Sequence, residues 1–439
     1  MTSDIVKPAP RQDPPPDSAQ GRGAPQPSAG KPAGGTPTGD RPNRALDWFV
    51  FFVADIQTGF GPFVAVFLTS QKWTQIDIGL VLTVSGIVSL VGQIPLGALV
   101  DNVKSLRAVA AISLIAIGIS AFAFAAWPLL MIVFATRILH AAASCALGFS
   151  LVSISLGLVG SDKVSERLGR NAAFASAGTG IAAGIMGLCG KYLSDRAVFF
   201  LAAALVLPAI LALSRIRISA THAPRASHAA PIAGLAALSE LAHNRPLVIF
   251  AICIGLFHLA NAAMLPLAAS MVTLRSSQAA TIMVAASMIV PQFTVTILSP
   301  IVGRAAQRWG RRPFLILGFM ALIARGWLLS ITEQTYLIVF FQALDGVSAA
   351  VLGVLVPLTI ADLSGRSRYF NLAQGTIGCA MGIGAAISTT LTGYLADTFG
   401  SYMAFTTLAI LAAVGLLAVV VAMPETRPSR RSDTELPDA

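Results

Sequence analysis

Twelve apolar stretches, each long enough to cross a lipid bilayer, follow one another between residues 45 and 423 with short connections. A helix needs about 20 apolar residues to cross the hydrocarbon core. Inside that core every backbone polar group must be satisfied within a helix or a closed barrel. With 55% hydrophobic and 11% charged residues, the chain is also too apolar for a soluble protein. The sequence therefore predicts an all-α integral membrane protein with twelve transmembrane helices.

The predicted spans are numbered 1 to 12 in chain order. They cover residues 45–68, 77–100, 106–126, 128–155, 170–191, 197–214, 246–272, 279–302, 313–332, 335–361, 370–395 and 402–423. We expect two six-helix bundles, 45–214 and 246–423, joined by a cytoplasmic linker at 215–245. A tail at 1–44 precedes them and a second tail at 424–439 follows. The first tail is rich in Pro and Gly, which predicts disorder, and it has no apolar segment typical of a cleavable signal peptide.

The basic residues predict the orientation in the membrane. If both termini are cytoplasmic, all but six of the 30 Lys and Arg residues fall in cytoplasmic tails and loops. The six exceptions lie outside or within spans: Lys72, Lys191, Arg196, Arg275, Arg137 and Arg325. Loops rich in Lys and Arg stay cytoplasmic during insertion. We therefore expect a protein of the bacterial inner membrane with both termini on the cytoplasmic side. The same loops account for the net charge of +10, which therefore does not indicate nucleic-acid binding.

The second six spans repeat the first six. In span 4, Arg137, His140 and Gly148 correspond to Gln342, Asp345 and Gly353 of span 10 at a constant shift of 205 residues. These spacings place each set on one helical face. Two parallel repeats with polar residues at membrane depth are typical of secondary transporters that bind substrate between their halves.

Two loops carry a family motif. After span 2 the chain reads Gly97-Ala-Leu-Val-Asp101-Asn-Val-Lys104-Ser-Leu-Arg107, and after span 8 it reads Gly303-Arg-Ala-Ala-Gln-Arg308-Trp-Gly-Arg311. Both resemble the Gly-x-x-x-Asp-Arg/Lys-x-Gly-Arg/Lys-Arg/Lys loop of the major facilitator superfamily. The first copy lacks the second Gly and the second copy has Gln307 in place of Asp. The resemblance implies a conformational gate formed by Gly97, Asp101, Lys104, Arg107, Gly303, Arg308 and Arg311. It also implies that Asp101 latches the two halves, whereas the alternative interpretation is a solvated loop carboxylate.

Ionisable residues within the predicted spans are candidates for function, because charge at membrane depth is costly unless it is paired or faces water. Asp55 in span 1 and Arg137 in span 4 lie at similar depths, so we expect them to pair. In proton-coupled members of the family, an Arg occupies the position that Arg137 matches. The resemblance therefore implies that Asp55 and Arg137 couple transport to protons. A fixed ion pair that serves only packing is the alternative.

Other polar residues at this depth are candidates for lining a substrate cavity. They are Gln57, Thr58, His140, His258, Asn261, Gln342 and Asp345. A lone histidine in a helix is often only a packing residue, which is the alternative for His140 and His258. For Arg325 we expect a structural role as the partner of Asp345.

The sequence predicts a transporter without a cofactor. It has no phosphate-binding loop, no cluster with metal-ligand spacing and no nucleophile motif, so we expect no enzyme, no metal and no ATP-driven pump. The first hypothesis is a monomeric proton-coupled exporter of a small organic or amphipathic solute. Span 5 lacks the Gly-Pro pair common in antiporters of the family, since Ile185 follows Gly184. The alternatives are a proton-coupled metabolite importer and a sensor or scaffold that does not transport.

Overall fold

The computed structural model describes residues 40–59, 63–159, 163–216, 234–275, 280–364 and 369–427. Helices and short connections form this part of the chain. The helices are α1 (Asp40–Gly59), α2 (Phe63–Ser70), α3 (Gln75–Asn102), α4 (Leu106–Ala126), α5 (Leu130–Leu158), α6 (Val164–Tyr192), α7 (Asp195–Ala204), α8 (Val206–Ser214), α9 (Gly234–His243), α10 (Arg245–Asn261), α11 (Met264–Arg275), α12 (Ala280–Trp309), α13 (Arg312–Ile331), α14 (Thr335–Leu363) and α15 (Phe370–Ala422). The predicted all-α membrane fold is confirmed.

Within the described residues, ten helical stretches are long and apolar enough to cross a membrane. One of them, α15, has 53 residues and would be roughly 80 Å long if straight, far more than one crossing needs. Its backbone leaves helical geometry at Gly400, where φ is 83°, so α15 consists of two legs. These legs correspond to predicted spans 11 and 12. Predicted span 1 corresponds to α1 and α2, between which residues 60–62 are not described, and its continuity stays a prediction.

Polar side chains occupy the N-cap positions of several helices, where a loop ends and the helix starts. The side chains of Thr74, Ser105, Ser194 and Asn244 each accept a hydrogen bond from the backbone N–H three residues later. Such N-caps satisfy donors that have no partner within the helix. They set the first residues of α3, α4, α7 and α10.

Two buried apolar clusters form the interior. One is built from α1 to α8, which we call the N half (40–216). The other is built mainly from α10 to α15, which we call the C half (245–427), with Val164 and Leu168 of α6 added. The outer surface is apolar as well: Val91, Ile112 and Leu417 are 67%, 67% and 61% exposed. Apolar side chains on both the inside and the outside are expected for helices surrounded by lipid.

Several predicted boundaries differ from the structure. Predicted span 5 was expected to begin at residue 170, but α6 begins at Val164, so Arg167 is helical. Spans 6 and 7 are each divided into two shorter helices, α7 with α8 and α10 with α11. The predicted tail lies outside the described residues up to Gly39, as do 217–233 of the linker and 428–439 of the C-terminal tail. The boundaries of the two predicted bundles stay a prediction.

Candidate functional site

The two halves are joined by the carboxylate of Asp101, at the end of α3. It accepts hydrogen bonds from the backbone N–H groups of Asn371 (3.0 Å) and Leu372 (2.9 Å) and from the Asn371 side-chain amide (2.8 Å). These groups form the first turn of α15. A carboxylate is stabilised there because it pairs with free N–H donors and with the positive end of the helix dipole. Asp101 is therefore bonded to the opposite half in this conformation, and its role as a latch stays a prediction.

Glycines let the halves approach closely at this end of the bundle, which we call the Asp101 end. A Cβ built at Gly97 would lie 2.3 Å from the Asn371 carbonyl oxygen, and one at Gly303 would lie 2.6 Å from the Ser165 carbonyl oxygen. Real side chains do not tolerate such contacts. Gly97, Gly303 and Asp101 therefore contact the opposite half, and their role as a conformational gate stays a prediction.

The other four predicted gate residues lie within their own halves. Lys104 is exposed, and it makes no hydrogen bond or ion pair with a described residue. Arg107 donates to the Ser214 carbonyl at 3.2 Å. Arg308 is exposed, and its carbonyl accepts a hydrogen bond from Arg427. Arg311 bonds to Asp362 and Glu425, which also belong to the C half. The structure therefore places these basic residues away from the contact between the halves.

Arg311 lies in a buried network of the C half. Its Nε donates to Asp362 of α14 at 2.9 Å, and its backbone N–H donates to Glu425 at 2.8 Å. Burial alone would raise the pKa of the Glu425 carboxyl, but the backbone N–H groups of Arg311, Arg427 and Arg312 hold it below its ordinary value. Glu425 lies beyond the last membrane-spanning segment and connects the chain after α15 to the start of α13.

The contact between the halves weakens away from the Asp101 end. On one face of α6, a Cβ at Gly169 would lie 2.4 Å from the Ser299 carbonyl oxygen, and one at Gly180 would lie 3.7 Å from Gln292. A Cβ at Gly184 or Gly187, further along the same face, would meet nothing within 4 Å. The halves therefore meet at the Asp101 end and separate toward the other end of the bundle.

The facing helices α3 and α15 show the same gradient. A Cβ at Gly375 would lie 2.3 Å from the Gln93 carbonyl oxygen, and one at Gly382 would lie 2.8 Å from the Leu90 side chain. A Cβ at Gly86 of α3 or Gly393 of α15 would meet nothing within 4 Å. We call the separated end, at which α3 begins after Lys72, the Lys72 end.

At membrane depth, the C half holds a polar cluster around Arg325 of α13. Its guanidinium donates to Asp345 at 2.6 Å, to Asn261 at 2.7 Å and to Gln342 at 2.6 and 3.1 Å. The side chain of Arg325 is 1% exposed and that of Asp345 is 20% exposed. The predicted pairing of Arg325 with Asp345 is confirmed. Three predicted cavity residues from α10 and α14 thus share one cation.

The Gln342 side chain has an additional feature. Its Oε1 accepts both bonds from Arg325, while its Nε2 is buried and makes no hydrogen bond within the described residues. A buried amide donor without a partner costs about 1–3 kcal/mol. The position therefore offers an unused donor at membrane depth.

The N half has a smaller polar chain between α1 and α5. The Ser144 hydroxyl donates to Gln57 Oε1 at 3.2 Å. Its oxygen also lies 3.2 Å from His140 Nε2 and, having only one hydrogen, accepts from that nitrogen. Gln57 and His140 are thus brought together as predicted cavity residues. The Thr58 hydroxyl instead donates to its own helix, at the Ala54 carbonyl.

His258 of α10 is partly buried, and its Nδ1 donates to the Ile254 carbonyl at 3.0 Å. Because a carbonyl can only accept, Nδ1 carries the hydrogen and Nε2 keeps its lone pair in the neutral ring. Within the described residues, His258 makes no hydrogen bond with the Arg325 cluster, although it shares a helical face with Asn261.

Asp55 does not form the expected ion pair with Arg137. Its side chain is 5% exposed, and its Oδ1 makes no hydrogen bond within the described part of the chain. The carboxylate lies against α6, where a Cβ at Gly178 would be 3.0 Å from Oδ1 and 2.6 Å from the Phe51 carbonyl oxygen. The similar depth of two residues along their helices does not determine the direction in which each side chain points around its helix. The expected pairing is wrong for this conformation.

A buried charge cluster near the start of α1 was missed. Asp47 pairs with Arg167 and Arg170 of α6, each at 2.5 Å. Arg167 also donates to Asn171, whose amide donates to Ser155 of α5. The sequence signal was present, since Asp47 begins an apolar span four residues before Phe51 and eight before Asp55. It was overlooked because Arg167 was assigned to a loop.

Among the described residues, no group of three or more His, Cys, Asp or Glu side chains could hold a metal ion.

A bundle of membrane-spanning helices whose halves meet at one end and separate toward the other has the architecture of a secondary transporter. The sequence profile of the Major Facilitator Superfamily matches residues 48–292 and 251–439, so the chain belongs to that family and is a multi-pass membrane transporter. Two uncharacterised MFS-type transporters of Mycobacterium tuberculosis, from strains CDC 1551 and H37Rv, are each 36% identical over 399 residues. The alignments cover 88% of this chain and 94% of each relative.

Solved structures share the fold at low sequence identity. The transporter FucP in its outward conformation gives a TM-score of 0.69 at 16% identity, covering 86% of this chain and 98% of FucP. The proton:xylose symporter XylE gives 0.65 at 14% identity, covering 89% and 96%. The human organic anion transporter MFSD10 gives 0.64 at 14% identity, covering 88% and 100%.

Proposed function

We propose that this transporter exports a small organic solute across the bacterial cytoplasmic membrane in exchange for protons, by alternating access and as a monomer. This proposal is supported by the closed Asp101 end, which lies opposite the separated Lys72 end. Polar clusters from both halves lie at membrane depth between the two ends. With the Asp101 end in the cytoplasm, as the basic residues favour, this conformation faces outward. The two predicted six-helix bundles are the moving bodies in this proposal.

The coupling residues we propose are Asp55 and Arg137. Asp55 lies against Gly178 in the outward-facing arrangement, and we propose that it turns toward Arg137 in another state of the cycle. The change of partner would alter the affinity of the carboxylate for a proton, which links proton binding to conformation.

The cavity we propose is lined by Gln57, His140, His258, Asn261 and Asp345. The partly exposed carboxylate of Asp345 and the free lone pair of His258 would accept hydrogen bonds from hydroxyl or amine groups of a solute. Gln342 is fully buried, and we propose that it holds the Arg325 guanidinium in place behind the wall of the cavity.

Import by proton symport is a second candidate. FucP is a fucose:proton symporter and XylE is a proton:xylose symporter. Their likeness to this chain supports proton coupling and small polar solutes, and it favours the import direction. Export stays the direction we propose first, and the following assay distinguishes it from import.

The test is a flux assay in liposomes that contain the purified protein and a pH-sensitive dye. Candidate solutes, beginning with fucose, xylose and organic anions, are added with and without an imposed pH gradient. Proton movement with the solute indicates symport, and movement against it indicates antiport. We expect Asp55→Asn to abolish accumulation driven by the gradient while the protein stays folded, and Arg137→Ala to have a larger effect. An Asp55→Asn protein that still concentrates solute in response to the gradient would contradict the coupling role.

Orientation has a separate test. Cysteines at Lys72 and Arg215 in a chain lacking its native cysteines should differ in reaction with a membrane-impermeant thiol reagent. We expect labelling from outside the cell at position 72 only. Labelling at position 215 in intact cells would overturn the proposed orientation.

A further inference from the structure

Two helix N-termini at the Asp101 end occupy equivalent places in the contact between the halves. One belongs to α15 and faces α3, and the other belongs to α6 and faces α12. In both contacts a glycine approaches a carbonyl oxygen of the opposite helix, and corresponding members differ by 206 in residue number. A Cβ built at Gly97 would lie 2.3 Å from the Asn371 carbonyl oxygen, and one at its counterpart Gly303 would lie 2.6 Å from the Ser165 oxygen. A Cβ built at Gly375 would lie 2.3 Å from the Gln93 carbonyl oxygen, and one at its counterpart Gly169 would lie 2.4 Å from the Ser299 oxygen.

The same shift relates Asp101 to Gln307, and here the two contacts differ. Asp101 accepts three hydrogen bonds from the first turn of α15. Gln307 is uncharged, and its buried Oε1 makes no hydrogen bond within the described residues. The N-cap residue of α6, Lys163, provides no side-chain cap either. Among the described residues, the Ser165 hydroxyl of α6 donates to the Gly303 carbonyl of α12 at 2.5 Å.

We infer that Gln307 keeps the α6–α12 contact unlatched, so that this contact separates first when the Asp101 end opens. Gln307 is then a positioning residue for the transport cycle, whose role is to leave the N-terminus of α6 without a carboxylate from the opposite helix α12; the acidic residue in the first turn, Glu166, belongs to α6 itself. The physical reason is that a carboxylate binds free N–H groups through charge-assisted hydrogen bonds and complements the helix dipole, whereas an amide lacks the charge. The inference rests on alternating access as proposed above.

The reporter for opening is a thiol at position 299. Ser299 is fully buried in the α6–α12 contact, and its hydroxyl makes no hydrogen bond within the described part of the chain, so Ser299→Cys removes no interaction. The native cysteines, Cys145, Cys189, Cys253 and Cys379, are replaced beforehand. The rate at which N-ethylmaleimide labels this thiol then measures how often the contact opens, with no need of a substrate.

The decisive comparison is Gln307→Asp against Gln307→Asn, which differ only in charge. Charge-assisted hydrogen bonds are strong enough that we expect Gln307→Asp to slow labelling and solute turnover by about tenfold or more relative to Gln307→Asn. The KM for solute should change little, because Gln307 lies away from the polar clusters. We also expect Gln307→Asp to unfold at a higher temperature than Gln307→Asn. Equal labelling rates, or a less stable Gln307→Asp protein, would overturn the inference.

A second set of variants transfers the carboxylate from position 101 to position 307. Asp101→Asn should speed labelling, and the double variant Asp101→Asn with Gln307→Asp should bring the rate back toward that of the parent. If Asp101→Asn speeds labelling but Gln307→Asp has no effect in either background, only the role of Gln307 is refuted. If neither variant changes labelling, neither residue controls the opening and the inference is refuted. If the parent thiol is not labelled at all, the Asp101 end does not open, and alternating access is refuted as well.

Discussion

Replacing Gly178 with Ala tests how closely α1 and α6 are packed beside Asp55. The added Cβ would lie 2.6 Å from the Phe51 carbonyl oxygen and 3.0 Å from Asp55 Oδ1. Since a relaxed carbon–oxygen contact is about 3.3 Å or more, α1 has to move by roughly 0.7 Å. Overpacking of this kind costs about 1–3 kcal/mol. The displaced α1 would carry the Asp55 carboxylate with it, so we also expect a loss of proton-driven transport.

Gly184 of the same helix is the matched control, because a Cβ there meets nothing within 4 Å. Ala is favoured over Gly within a helix by roughly 0.5–1 kcal/mol, so Gly184→Ala should be neutral or slightly stabilising. Thermal unfolding of both purified variants in detergent measures the difference, and the flux assay measures transport. If Gly178→Ala is as stable and as active as Gly184→Ala, the close approach of α1 to α6 at Asp55 is refuted.

Three further predictions concern ionic contacts. Arg325→Met should destabilise the protein by about 3–5 kcal/mol in thermal unfolding, because it leaves a carboxylate in the C half without its cation; a cost below about 1 kcal/mol would contradict the cluster. Arg167→Met should cost about as much, whereas Arg170→Met should cost about 1 kcal/mol or less, because the Arg170 side chain is 49% exposed although both pair with Asp47; equal costs would count against the burial argument. Glu425→Gln should destabilise by about 1 kcal/mol or less at neutral pH. Because the pKa of Glu425 is lowered in the folded protein, its contribution is present above the ordinary pKa of 4.5 and is lost as the pH falls through the lower folded value, so the two proteins should converge in acid.

Depth in the membrane could be predicted from the sequence, but direction around a helix axis could not. Asp345 and Arg325 were expected to pair, and they do, because α13 and α14 are adjacent antiparallel helices that present these residues to each other. Asp55 and Arg137 were expected to pair on the same grounds. They do not, because α1 turns the face that bears Asp55 toward Gly178 of α6. Residue spacing alone does not say which neighbour a helix will meet.

The ends of the helices could not be predicted closely enough to find the buried ion pairs of Asp47. The cluster of Asp47 with Arg167 was missed because charged residues before position 170 were assigned to a loop, whereas α6 continues back to Val164. Charged residues at the ends of apolar segments are ambiguous, since they suit both a loop and a buried pair between helix ends. The family motif resolved this ambiguity for Asp101 and offered no help for Asp47.

The repeat in the sequence predicts two similar halves, but transport depends on how they differ. Each of the three hydrogen bonds to the Asp101 carboxylate is of the charged kind, worth about 1.5–3 kcal/mol before the cost of burial is subtracted. Moving a two-state equilibrium from 1:99 to 99:1 takes only about 5.5 kcal/mol. A second carboxylate latch at position 307 would therefore shift this equilibrium further toward the closed Asp101 end. A protein that must open this end in every cycle is served better by one charged contact and one neutral contact than by two charged ones.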